Sequence, residues 1–182
     1  MHIAQFSGPG AKAALTDYVA RDIPSFPKGR VRYCLRLDSS GKVLSDLTIW
    51  KINQDTYHVI SGQQQDIKDL LDYAGSQVCV EDLSEHLSVF AVQGPASLAT
   101  LVGLCEEDRL TGLNYYEFCD VIMCEVPVRV ARLGYTKERG LEIIVDTAQA
   151  APLWHNLAAR GPSGVCNRGY LAHRGGLCVV LQ

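Results

Sequence analysis

The side chains able to do chemistry in this chain stand outside the common catalytic motifs. No G-x-G-x-x-G or Walker-type loop follows a strand, and neither H-E-x-x-H nor a G-x-S-x-G elbow is present. Nucleotide-binding and hydrolase chemistry therefore lack their usual scaffolds. The histidines have no metal-ligand spacing: His58 falls in a strand pattern, His86 and His155 in polar or amphipathic surroundings, and His173 beside Arg174. Seven cysteines at irregular spacing form no C-x-x-C pair, so neither a metal site nor a disulfide framework is expected. Most of them sit among Val, Leu and Ile and read as reduced, buried thiols.

The carboxylates are more informative. Glu142 lies in Leu141-Glu-Ile-Ile-Val145, where strand alternation puts it on the same face as Ile144 and predicts a partly buried acid in need of a partner. Asp46 lies in the segment Val43 to Trp50, and by residue type alone it reads as a strand end or a turn cap. Trp50 and Tyr135 are aromatic residues of the kind that either wall a site or fill a core.

Two repeated runs of secondary structure must position these residues. The strand pattern His2 to Phe6 meets Gly8-Pro9-Gly10 and continues as a helix with apolar positions Ala11, Ala14, Leu15 and Tyr18. Val89 to Val92 meets Gln93-Gly94-Pro95 and continues the same way through Leu98, Ala99, Leu101 and Val102. Arg32 to Leu37 and Val43 to Trp50 alternate around the turn signal Ser39-Ser40-Gly41. Val126 to Leu133 and Leu141 to Val145 answer them in the second half. Tyr57 to Ser61 leads into an amphipathic helix from Gln65 to Tyr73, matched later by Ala148 to Ala159. The fold class expected is α+β, in two pseudo-repeated strand-helix-strand halves spanning residues 1–85 and 86–182. A ligand crevice between such halves is expected.

With 182 residues, 47% of them hydrophobic, the chain can bury a substantial core without disulfides. A net charge of −3 and scattered Lys and Arg exclude the electrostatic footprint of a duplex nucleic-acid binder. No apolar stretch has membrane-spanning length and no secretory signal pattern opens the chain, so a cytoplasmic location with no membrane partner is expected.

Three ordered segments resemble the glycine-cleavage T-protein (aminomethyltransferase) family. Gly41-Lys-Val-Leu-Ser-Asp46-Leu is similar to G-G-x-x-D-D-L, with Asp46 at the second acid, and Ala91-Val-Gln-Gly-Pro-Ala96 is similar to L-Q-G-P-x-A. Arg132-Leu-Gly-Tyr-Thr-Lys-Glu-Arg-Gly-Leu-Glu142 resembles R-x-G-Y-T-G-E-x-G-x-E, and Gly164-Val-Cys-Asn-Arg168 followed by Gly175-Gly-Leu177 resembles G-L-x-A-R-D...E-A-G-L. The chain departs from the family pattern at Ser61 (family Asn), Lys137 (family Gly) and Arg174 (family acid).

The resemblance implies the family's folate-binding core without its barrel-like C-terminal domain. It implies a one-carbon transferase moving a methylene or methyl unit between a small amine, ether or thioether and a reduced folate. The cofactor is then tetrahydrofolate or 5,10-methylenetetrahydrofolate, with no metal. Asp46 is the implied catalytic residue, beside the reacting folate nitrogens, and Glu142 the implied grip on the pterin. Arg168 is placed at the anionic tail or a carbonyl, with Tyr135, Trp50 and Ser61 completing the cofactor-binding set. A homo-oligomer or a partner subunit completing the pocket is also expected. The alternative is a non-catalytic folate-domain subunit similar to the small subunit of multi-subunit sarcosine oxidases.

Overall fold

The structure is a computed structural model, and it describes residues 1–23, 26–105, 109–135, 138–160, 165–166 and 178–181. The chain divides into two compact units, Met1–Glu85 and His86–Gln182.

In the first unit the strands are β1 (His2–Ser7), β2 (Val31–Leu37), β3 (Val43–Lys51), β4 (Thr56–Ser61) and β5 (Cys79–Asp82), with helices α1 (Ala11–Tyr18) and α2 (Gln64–Leu71). They form one antiparallel sheet in the order β2-β3-β4-β1-β5. Helix α1 can start directly after β1 because Gly8 takes φ +111°, a left-handed conformation open to glycine, and Pro9 follows it. A Cβ at Gly8 would also lie 2.5 Å from the Gln77 carbonyl oxygen. The α1 residues Ala11, Leu15 and Tyr18, spaced one turn apart, bury against Ala4 and Phe6 of β1, Leu47 and Ile49 of β3, and Tyr57 and Val59 of β4. Ile67 and Leu70 of α2 close the same cluster. Each such side chain stabilises the unit by about 1.5–3 kcal/mol relative to exposure.

The second unit holds β6 (Leu87–Gln93), α3 (Ser97–Val102), β7 (Phe118–Met123), β8 (Val126–Ala131), β9 (Gly140–Asp146), α4 (Thr147–Arg160), β10 (Val165–Cys166) and β11 (Cys178–Leu181). Its sheet order is β10-β11-β6-β9-β8-β7. Taken from the β7 end, this repeats the first sheet: a hairpin, a strand that leads into the unit's second helix, a strand that leads into a Gly-Pro turn, and an antiparallel outer neighbour. Gly94 takes φ +118°, as Gly8 does. The core of this unit gathers Phe90 and Val92 of β6, Leu101 of α3, Val128 and Val130 of β8, Leu141, Ile143 and Val145 of β9, and Leu153 and Leu157 of α4. Helix α4 carries Pro152 in its interior; Asp146 accepts a hydrogen bond from the Ala148 amide at its start, and Leu153 and Leu157 carry its packing.

The α+β class agrees with the reading of the sequence; the first sheet is antiparallel, and the second is antiparallel except for the parallel pair β10–β11. Strands β5, β7, β10 and β11 add to that reading. The thiols differ in part. Cys34 is buried, but Cys105, Cys119 and Cys124 are only partly so, and Cys79 is exposed at the sheet edge. Burial still pushes the Cys34 and Cys105 thiols up to about 11, which keeps them protonated.

Candidate functional site

Strand alternation sorts the candidate residues by face. On β3, Leu47 and Ile49 point into the helix-covered core, so Asp46, Thr48 and Trp50 occupy the opposite face. Asp46 pairs with Leu35 of β2 and is exposed, and no described residue hydrogen-bonds its carboxylate. Trp50 is fully buried, with its Nε1–H donated to Thr48 Oγ1 at 2.9 Å. It stands opposite His58 of β4. His58 is itself buried and lies 3.3 Å from Gln5 Oε1 of β1.

Ser61 occupies the other face. Opposite Leu47, it points towards α2 and donates its hydroxyl hydrogen to Asp66 Oδ2, while accepting the Gln63 amide at 3.0 Å. Asp66 is the hub of a buried polar cluster that reading the sequence did not anticipate. It also accepts the Ser45 hydroxyl at 2.8 Å and Arg36 at 2.9 Å, and its backbone carbonyl accepts Tyr18 Oη at 3.2 Å. Arg36 further pairs with Asp69 and stacks over the Tyr18 ring. Asp66 is 1% exposed, so its charge is tolerable only because three donors converge on it. Ser45 immediately precedes Asp46, so this cluster pins the stretch of β3 that presents Asp46. An acid immediately before Ile67 and one helical turn before Leu70, on the buried side of an amphipathic helix, was the available signal.

In the second unit Glu142 sits at the middle of β9, opposite Ala91 of β6 and Ala131 of β8. Its neighbours Leu141 and Ile143 point into the core, so Glu142 lies, like Asp46 in its own unit, on the face away from the helices. Glu142 is 6% exposed, the alanines beside it offer no donor, and no described residue hydrogen-bonds its carboxylate. Burial alone pushes its pKa up from 4.5 to about 7. Tyr135, in the loop between β8 and β9, is 48% exposed and forms no part of the core. Arg168, Lys137 and Arg174 lie outside the described residues.

The motif residues that carry no candidate chemistry have a structural role. Gln93 is 1% exposed and donates its side-chain amide to the carbonyls of Leu133 and Leu141. Gly134 and Gly140 receive it, since a Cβ on either would run into the Gln93 amide. The Arg139 carbonyl accepts the Gly94 amide at 2.7 Å and the Ser97 hydroxyl at 3.2 Å. Among the described residues no group of three His, Cys, Asp or Glu side chains could hold a metal ion, and no helix is long and apolar enough to cross a membrane.

The family model described as the GCVT N-terminal domain matches residues 1–175. The chain belongs to this family. Among curated relatives it is 37% identical over 164 residues to an aminomethyltransferase of Streptomyces avermitilis, covering 87% of this chain and 44% of the relative. It is 31% identical over 167 residues to an aminomethyltransferase of Chlorobium phaeobacteroides, covering 88% and 46%. The chain thus spans less than half the length of these relatives. Among solved structures it is similar to the glycine cleavage system aminomethyltransferase T of Bartonella henselae, with a TM-score of 0.74, 22% identity, and coverage of 86% of this chain and 42% of that one. It is also similar to a chain of the heterotetrameric sarcosine oxidase of Corynebacterium sp. U-96, with a TM-score of 0.66, 17% identity, and coverage of 87% and 78%. For this GCVT-domain chain, those two structures establish the shared fold.

Proposed function

We propose that this GCVT-domain chain binds a reduced folate, tetrahydrofolate or its 5,10-methylene form, and serves transfer of a methylene or methyl unit involving a small amine, ether or thioether. The observation that carries the proposal is the Glu142 carboxylate, buried and without a hydrogen-bond donor among the described residues. An acid held this way costs free energy unless a ligand brings donors to it. Its two oxygens suit the adjacent ring N–H and exocyclic amino group of a pterin edge.

When bound, the folate supplies the nitrogen that carries the one-carbon unit. Asp46 then acts as the catalytic residue, its carboxylate balancing positive charge at the reacting nitrogen or handling a proton there. Its backbone is held by the Ser45–Asp66 hydrogen bond next to it. Glu142 holds the pterin in the ionised form that donors favour. Arg168 is assigned to the anionic tail or a ring carbonyl, and Trp50 and Tyr135 to the walls. Ser61 is given a positioning part through Asp66.

A second reading is a folate-domain subunit of a larger assembly that does no chemistry itself. The likeness in fold to the heterotetrameric sarcosine oxidase chain, 78% of which is covered, favours it.

Calorimetry with tetrahydrofolate under reducing conditions tests the proposal. Saturable binding is expected, weakened in Glu142→Ala by roughly 1 to 3 kcal/mol. No heat at high folate concentration would remove the cofactor from both readings. Asp46→Asn is expected to keep folate affinity within a few fold while abolishing transfer. Undiminished transfer in that variant would strip Asp46 of its role, and folate binding without transfer to any amine, ether or thioether would favour the subunit reading.

A further inference from the structure

We propose that the second unit carries a separate binding site for a small organic carboxylate with an apolar body, between α3 and the start of β9. A cavity of about 370 Å³ opens there, within the range of small-molecule sites. Its walls are apolar: Pro95, Leu98 and Val102 on one side and Leu141 on the other. Leu98 and Val102 are only partly buried, so α3 leaves apolar surface uncovered at this point. Two guanidinium groups, Arg132 and Arg139, join the same lining, and among the described residues no Asp or Glu does. Leu141 belongs to the core face of β9, whereas Glu142 faces the other way, so this cavity lies across the sheet from the proposed pterin grip. It goes beyond the folate reading and does not depend on it.

The two arginines differ in a useful way. Arg132 is anchored, donating Nη1–H to the Leu113 carbonyl at 2.7 Å, with its remaining donors available. Arg139 is exposed, and no described residue pairs with its side chain. Its backbone, however, is clasped through its carbonyl by Gly94 and Ser97 and flanked by Gly140, which packs on the Gln93 amide. A cation with no partner among the described residues, on a hydrogen-bonded backbone beside apolar surface, is placed to receive an anion.

The apolar lining points to an organic carboxylate in preference to a bare phosphate. Two of the nearby backbone amides are already committed, Gly94 N–H to the Arg139 carbonyl and Ser97 N–H to the Gly94 carbonyl. Two planar guanidinium groups suit a single carboxylate, and the apolar lining suits an aromatic or branched body.

The test uses the full chain, 15N-labelled, titrated with 3-phenylpropionate, with its neutral amide 3-phenylpropionamide, and with inorganic phosphate, reading backbone amide shifts. Saturable shifts at Ala99, Val102 and Leu141 are expected for the carboxylate, with the neutral amide at least tenfold weaker. Arg139→Gln, which removes an exposed and unpaired side chain, should weaken carboxylate binding at least fivefold without changing the melting temperature. Ala99→Phe, at an exposed position lining the cavity, should abolish it, and if that variant fails to fold, Arg139→Gln decides. Equal binding of acid and amide, binding unchanged in Arg139→Gln, phosphate binding as tightly at the same amides, or no saturable shift there would each overturn the proposal.

Discussion

The two units place an ionisable residue at the same point of the same sheet and treat it differently. In the first, the strand pair β1–β4 sets His58 opposite Gln5, whose side chain meets it at 3.3 Å. In the second, the corresponding pair β6–β9 sets Glu142 opposite Ala91, which has nothing to offer. The first unit also surrounds its one buried carboxylate, Asp66, with Ser45, Ser61 and Arg36. The second leaves Glu142 without a donor from any described residue. A duplicated scaffold thus uses a buried acid on α2 for internal cohesion in one copy, and in the other leaves a buried acid on β9 without a donor among the described residues. An unsatisfied buried carboxylate is a standing cost in stability, and ligand binding is the usual way such a cost is recovered.

The sharpest way to break this comparison is to remove the satisfied acid. Asp66→Ala strands three buried or half-buried donors, and urea unfolding is expected to show a loss of about 3 kcal/mol. A loss near zero would mean that the cluster contributes no cohesion and that the contrast between units is empty.

Glu142→Gln tests the other side through pH. With its folded pKa raised to about 7 from 4.5, Glu142 keeps its proton in the folded chain over a range where the unfolded chain has released it. Its favourable contribution is therefore complete below about 4.5 and is lost as pH rises through about 7. The neutral amide should escape this loss, so Glu142→Gln should exceed the parent by roughly 1 to 3 kcal/mol at pH 8, with the gap closing towards pH 4.5. A gap independent of pH would show that Glu142 finds compensation in the folded chain.

Gln5→Ala gives a milder check. Losing the contact to His58 is expected to cost about 1 kcal/mol in chemical denaturation, well short of the effect at Asp66. An equal or larger cost would make the strand pair, and not the acid cluster, the polar anchor of the first unit.

The smallest effect concerns the two hairpins. The β2–β3 turn puts Gly41 at φ +83° and receives Ser40 and Lys42 amides on Asp38 Oδ1. The β7–β8 turn instead holds Cys124 at φ +51° and Glu125 at φ +66°, positions where a side chain is strained. Glu125→Gly should raise the melting temperature, with a gain of about 0.5 kcal/mol. No gain would show that this turn carries no strain to relieve.

Much of the fold was legible because it follows from local pattern. The apolar spacing of Ala11, Leu15 and Tyr18 and the repeated Gly-Pro turns marked both strand-turn-helix runs, and the alternation around Ser39-Ser40-Gly41 marked the first hairpin. Strand β5 was illegible because Cys79-Val-Glu-Asp82 is a short edge with only Val80 packing on the core. Strand β7 was hidden because Ile122 is an apolar residue on an outward position, which breaks the alternation that a strand pattern needs. At the site, the face of Glu142 was readable from its strand, since side chains alternate whatever the surroundings.

The sequence by itself determined the secondary-structure repeat, the family motifs and the side of β9 on which Glu142 emerges, because each depends on neighbours only a few residues away. Only the tertiary structure decided that Glu142 is buried beside two alanines, that Ser61 turns to Asp66, and that Gln93 locks two distant glycines. Those outcomes depend on which strands lie side by side, and strand order brings together residues whose separation along the chain carries no local signal.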